Sequence, residues 1–118
     1  MIAAYEEFGP TAKTVDQLER NVKKEVEKEC DCKLGVAGTT NSSGKVDVKP
    51  DPNPYRVKAT EVHEAVHEKA VKNAIAKYGE NTPAFNKWYL NPHRWAANEV
   101  RAYSADIKYM EQVIPTIK

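Results

Sequence analysis

TEVHEAVHEKAVKNAIAKY, residues 60–78, contains His63-Glu64-Ala65-Val66-His67, an H-E-x-x-H pattern within a helically patterned segment. Residues four apart stand one turn above each other on a helix, so both imidazoles can reach a single metal ion. Glu64 follows the first histidine directly. It is placed to take a proton from water at that metal rather than to bind the metal itself. On a helical wheel His63 and His67 fall among Val66, Ala70, Val71, Ala74 and Tyr78, the stripe that must be buried. A lone histidine on such a stripe is usually a core residue. Two at this spacing with a flanking glutamate point to ligands, and they use two of the three histidines in the chain. Thr60 is the expected N-cap and Gly79 the C-terminal stop, with Glu61 and Glu68 facing solvent.

Downstream, Asn91-Pro92 predicts a helix N-terminus, a cap followed by proline at the first helical position, and the helix ends before Pro115. Its stripe of Trp95, Ala102, Met110 and Val113 also takes in Glu99, Tyr103 and Asp106. Two carboxylates facing a core demand partners, because a buried unpaired charge is strongly unfavourable. A metal held by the facing helix would neutralise them; the bland alternative is a salt bridge to a lysine or arginine of the first helix.

Upstream, Thr14-Val15-Asp16-Gln17 reads as a capping box, and Val15, Leu18, Val22, Val26 and Cys30 predict an amphipathic helix. The charges of mixed sign on its other face, Lys23 to Glu29, read as solvated. Leu34 and Val36, the turn formers Asn41-Ser42-Ser43-Gly44 and the alternating Lys45-Val46-Asp47-Val48-Lys49 predict a β-hairpin. Pro50, Pro52 and Pro54 predict an extended connection over residues 50–58. The expected class is α+β: a compact, mainly helical single domain over residues 1–118, with a small hairpin sheet preceding the H-E-x-x-H helix.

A chain of 118 residues holds one core and no second lobe, so a site must be a surface groove. The net charge of +1 lacks the electrostatic footprint of a nucleic-acid binder. No apolar run approaches a membrane span, and Met1 to Glu7 is acidic where a Sec signal is basic, so the chain reads as soluble without a Sec-type address. Cys30 and Cys32 form one C-x-C pair, too few for a disulfide framework or a four-cysteine zinc site.

His63-Glu64-Ala65-Val66-His67 and Asn98-Glu99-Val100-Arg101-Ala102 together resemble the gluzincin class of zinc metallopeptidases. In that class a glutamate from a later helix joins H-E-x-x-H, and the second stretch looks like the N-E-x-x-S/A element of thermolysin-like enzymes. The resemblance implies a zincin-like fold, Zn2+ held by His63, His67 and Glu99, Glu64 as general base, and a peptide or protein substrate. Tyr103 stands where those enzymes carry the aspartate that holds a ligand imidazole, which passes that task to Asp106 one turn on. Tyr103 and His93 are the candidate oxyanion donors. Tyr103 is favoured because it shares the face of Glu99, whereas His93 lies in a first turn whose amide dipoles disfavour a cation.

Substrate is expected to pair along the Lys45 to Lys49 edge by β-augmentation. Trp88, Tyr89 and Trp95 read as core packing, with a subsite wall as the alternative. The compact size and the hairpin also resemble small metallopeptidase domains of bacterial polymorphic toxins and minimal gluzincins. That likeness implies an effector exported by a specialised secretion system and opposed by an immunity protein. Two rival readings are an inactive zincin-like binding module with structural or no metal, and a nuclease-type toxin using His63, His67 and His93. Against the first stands Glu64, which a structural site does not require; against the second, the neutral charge.

Overall fold

The computed structural model describes residues 1–31 and 37–116. In chain order it comprises α1 (Ile2–Phe8), a 3₁₀ turn (Gly9–Thr11), α2 (Val15–Cys30), β1 (Gly38–Thr40), β2 (Val46–Val48), α3 (Pro54–Tyr78), α4 (Pro83–Tyr89), α5 (Pro92–Val113) and a second 3₁₀ turn (Ile114–Thr116). The chain is thus mostly helical, with one two-stranded antiparallel sheet ahead of the H-E-x-x-H helix. Among the described residues, no helix is long and apolar enough to cross a membrane.

A cap residue followed by proline starts three of these helices. Asn53 Oδ1 accepts from the Tyr55 N–H (2.9 Å), Thr82 Oγ1 from the Phe85 N–H (3.1 Å), and Asn91 Oδ1 from the His93 and Arg94 N–H groups (2.9 and 3.2 Å). Pro54, Pro83 and Pro92 follow directly, where a missing N–H removes a donor that has no intrahelical partner anyway. This corrects the extended connection expected over residues 50–58. Pro54 opens α3, and Thr60, the expected cap, sits inside the helix with its hydroxyl donating to the Arg56 carbonyl (3.0 Å). The short helices α1 and α4 are likewise additions to the expected set.

The hairpin forms with strands shorter than expected, in the register Gly38 to Val48, Thr39 to Asp47 and Thr40 to Val46. Leu34 and Val36, expected in its first strand, lie outside the described residues, as does Cys32; Cys30 is disulfide-bonded. At the turn, Asn41 Oδ1 accepts from the N–H groups of Ser43 and Lys45, both at 3.0 Å, and Gly44 supplies the positive φ of 83°.

Two apolar clusters flank the packed pair α3 and α5. Tyr5, Ala12, Leu18, Val22 and Ala96 form one; Val71, Ala74 and Phe85 form the other, with Trp88 and Tyr89 against it. Between them the buried surface is polar: His63, Glu64, Asn98 and Glu99 are each 6–7% exposed. The expected α5 stripe loosens toward its end, where Met110 and Val113 are half-buried and Ile107 is exposed. Replacing Leu18, which is fully buried, with alanine is expected to cost about 2–5 kcal/mol, while Ile107→Ala should stay within about 0.5 kcal/mol. Urea denaturation measures both, and equal losses would contradict this placement of the core.

Candidate metal centre

The spacing of His63 and His67 puts both rings on the α3 face that meets α5, and Glu99 projects from α5 into the same gap. His63 Nε2 lies 3.2 Å from Glu99 Oε1 and 3.2 Å from His67 Nε2, and His67 Nε2 also contacts Glu99 Oε1. The far nitrogens are engaged too. His63 Nδ1–H donates to Asp106 Oδ2 (2.9 Å), and His67 Nδ1–H donates to Asn98 Oδ1 (2.6 Å).

These acceptors assign each neutral ring's proton to Nδ1 and leave both Nε2 lone pairs aimed at the Glu99 oxygen. Three acceptors facing one another repel unless a cation lies among them. The chemistry of the donor set suits a metal ion, and two of the three separations, 3.2 Å each, are close to those spanned by bonds of about 2.0–2.1 Å to one tetrahedral ion, while His67 Nε2 and Glu99 Oε1 stand closer together. His63, His67 and Glu99 therefore form a group that could hold a metal, with ligand atoms within 4.8 Å of one another. Among the described residues no lysine or arginine pairs with Glu99, so the salt-bridge alternative does not form. Asp106 touches Nδ1 rather than Nε2, the outer position expected of it.

Glu64 is buried beside this group without belonging to it. Its Oε1 accepts from the Thr40 hydroxyl (3.0 Å), while Oε2 stands 3.8 Å from His63 Nε2. The close approach of β1 to α3 makes this bond possible and depends on Gly38. A Cβ there would stand 2.7 Å from Thr60 Cγ2 and 3.2 Å from Glu64 Cγ.

The group lines a cavity of about 650 Å³ bounded by α2, β1, α3 and α5. Tyr103 lines it with its ring edge-on to His63 at 4.3 Å between centroids. Burial, with Glu99 adding, holds its phenol above the usual range, so it remains a donor. His93 does not join the site. It lies six residues before Glu99, about 120° around α5 at 3.6 residues per turn, and is exposed; this removes the expected second oxyanion donor and the set of His63, His67 and His93.

The strand at the cavity is β1, at Gly38 to Thr40, rather than the expected Lys45 to Lys49. The bonds from Lys49 N–H to the Ala37 carbonyl and from Asn41 N–H to the Lys45 carbonyl make those the hydrogen-bonded pairs. By alternation Thr39 pairs inward, and the backbone groups of Gly38 and Thr40 point away from β2.

Trp88 and Tyr89 pack on Phe85 as expected, while Tyr89 and Trp95 also line the cavity. Two participants are invisible to periodicity. Thr40 is one. Glu19 is the other, accepting from Tyr5 Oη (2.7 and 2.8 Å) and from Trp95 Nε1 (2.7 Å) in the cavity wall. Burial raises its carboxyl above the ordinary range, against the pull of those bonds. Comparison with protein-family models, curated proteins and solved structures finds no match to this chain.

Without a metal, protons must fill the gap. Burial opposes charge on His63, but the bonds to Asp106 and Glu99 outweigh it and lift its pKa from 6.5 to about 9. His67 moves the same way. Burial likewise opposes charge on Glu99, yet the two histidines hold it down from 4.5 to about 2. A raised histidine contributes stability that is complete below its unfolded pKa and disappears as pH rises through the folded one; a lowered carboxylate contributes above its unfolded pKa and loses it as pH falls through the folded one. Metal-stripped protein is therefore expected to lose stability between pH 6.5 and 9. His63→Ala should flatten this slope in chemical denaturation with chelator present; an unchanged slope would contradict the proton count.

Proposed function

We propose that this chain is a zinc-dependent metallopeptidase with a zincin-like site, in which His63, His67 and Glu99 hold the metal and Glu64 is the general base. The observation that carries this reading is the position of Glu64: a buried carboxylate oriented by Thr40, with one oxygen toward the ligand group but outside it. A purely structural site has no use for such a group, whereas hydrolysis needs a proton acceptor there.

Two imidazoles and a carboxylate suit zinc and leave a coordination position open. When bound, zinc supplies Lewis-acid polarisation of a carbonyl and lowers the pKa of water. The chain does the rest. Asp106 and Asn98 lock the two rings so that Nε2 faces the metal position. Thr40 holds Glu64 in the orientation from which it takes a proton and returns it to the leaving amine. Tyr103, kept protonated and lining the cavity beside His63, is assigned as the donor to negative charge developing on the attacked oxygen. The outward backbone groups of Gly38 and Thr40 offer an extended peptide its pairing edge beside the metal group.

Glu64→Gln is expected to retain zinc and fold while lowering hydrolysis of an unfolded protein by about 10²–10⁴-fold. Mass spectrometry of the products, with metal analysis of both proteins, measures this. Undiminished cleavage by the variant, or none by the zinc-loaded parent chain, would contradict the reading.

A further inference from the structure

Four acidic residues, Glu19, Glu64, Glu99 and Asp106, reach the cavity, and so do three cations, of which Arg20 and Lys23 lie exposed on α2. Arg94 is different. It sits half-buried in the wall next to Trp95, and among the described residues it makes no direct ion pair, Glu99 attracting it only from farther off. Its side chain is held in place from two directions. Nε donates to the Trp88 carbonyl (3.2 Å) and Nη2 to the Tyr89 carbonyl, while the guanidinium lies 4.0 Å from the Trp88 ring centroid and 5.2 Å from that of Trp95.

The two carbonyls occupy the Nε side of the guanidinium. A guanidinium has five N–H donors in a fixed fork, so both hydrogens of Nη1 and the second of Nη2 remain. That free end is the pair of donors that matches a carboxylate bidentately. A cation immobilised on aromatic faces loses little freedom on binding, which favours recognition over a mobile surface lysine. Capping the last carbonyls of α4 explains the Nε side of Arg94 but leaves the other end unused.

We infer that Arg94 is a specificity-determining residue that receives a carboxylate of the bound peptide, placing a negatively charged group at the Tyr89 and Trp95 end of the cavity. The inference rests on the peptidase reading for the identity of the ligand as a peptide. The carboxylate has two sources in a peptide, the C-terminus and an acidic side chain, and they share the same fork. Around the metal group the four acidic residues disfavour an anion, and Arg20 and Lys23 are exposed side chains of α2 without the aromatic seat of Arg94, so the immobilised fork of Arg94 sets the register of a substrate that carries a carboxylate.

The test uses the full chain carrying Glu64→Gln, loaded with zinc, so that binding is read without turnover. Four fluorescein-labelled alanine-rich hexapeptides are compared by anisotropy: a free C-terminus, its amide, and two amidated peptides with an internal glutamate or glutamine. The free-acid or the glutamate peptide is expected to bind about 10- to 100-fold more tightly than its neutral counterpart, and which of them does so identifies the source. Arg94→Gln should abolish the preference, and Arg94→Lys, which keeps the charge but not the fork, should retain part of it. Equal affinity for charged and neutral peptides in the chain with Arg94 intact would overturn the inference, and this comparison needs no Arg94 variant to fold. A preference that survives Arg94→Gln in a protein with an unchanged circular dichroism spectrum would overturn it as well. If the zinc-loaded parent cleaves nothing yet the preference depends on Arg94, the peptidase reading falls and the carboxylate site stands.

Discussion

Three acceptor atoms, two imidazole nitrogens and a carboxylate oxygen, aim at one point between α3 and α5, and that convergence constrains the rest of the molecule. It is stable only with positive charge among them, supplied either by protons on the histidines or by a metal. A buried cluster of this kind is a weak source of stability beside an apolar interface of the same size. The chain holds it by placing an apolar cluster on either side, around Tyr5, Leu18 and Val22 and around Val71 and Phe85. These supply the burial that the polar interface does not. The interface itself is left to specify geometry.

That geometry is enforced from outside the ligand set. Asp106 and Asn98 come from the same helix as Glu99, so one element orients both rings and supplies the third acceptor. Thr40 comes from the hairpin, which makes the orientation of Glu64 depend on how closely β1 lies on α3. The glycine at position 38 permits that approach, and an added Cβ would strike the α3 side chains Thr60 and Glu64. A three-residue strand with little burial of its own thus acts through one hydroxyl. On the opposite side, α1 and α2 contribute Tyr5 and Glu19, which tie Trp95 into the wall by hydrogen bonds rather than by packing alone.

The convergence of His63, His67 and Glu99, with Asp106 beside them, is legible in the sequence because all lie on two long helices, where spacing alone decides which side chains share a face. Helical spacing also gave Tyr103 its place beside His63. What escaped depends on contacts between elements distant in sequence. Neither Thr40, 24 residues from Glu64, nor Glu19, 76 residues from Trp95, carries a local signal of its partner. The start of α3 and the existence of α4 are a different matter. Asn53-Pro54 and Thr82-Pro83 carry the same cap-and-proline signal that marks Asn91-Pro92, but crowding by Pro50 and Pro52 makes the first look like a broken, extended stretch. The edge strand was misplaced because alternation is visible in Lys45 to Lys49 and absent from Gly38 to Thr40, whose role rests on position. His93, the third histidine, is exposed on α5, about 120° from Glu99, and outside the group.

The most direct test of this site is X-ray absorption at the zinc edge on the zinc-loaded full chain. The expected spectrum shows nitrogen and oxygen neighbours at about 2.0–2.1 Å with the outer-shell pattern of two imidazoles, reduced to one in His63→Ala. A sulfur neighbour at about 2.3 Å, or a first shell without imidazole, would contradict the assignment of His63, His67 and Glu99 as the metal ligands.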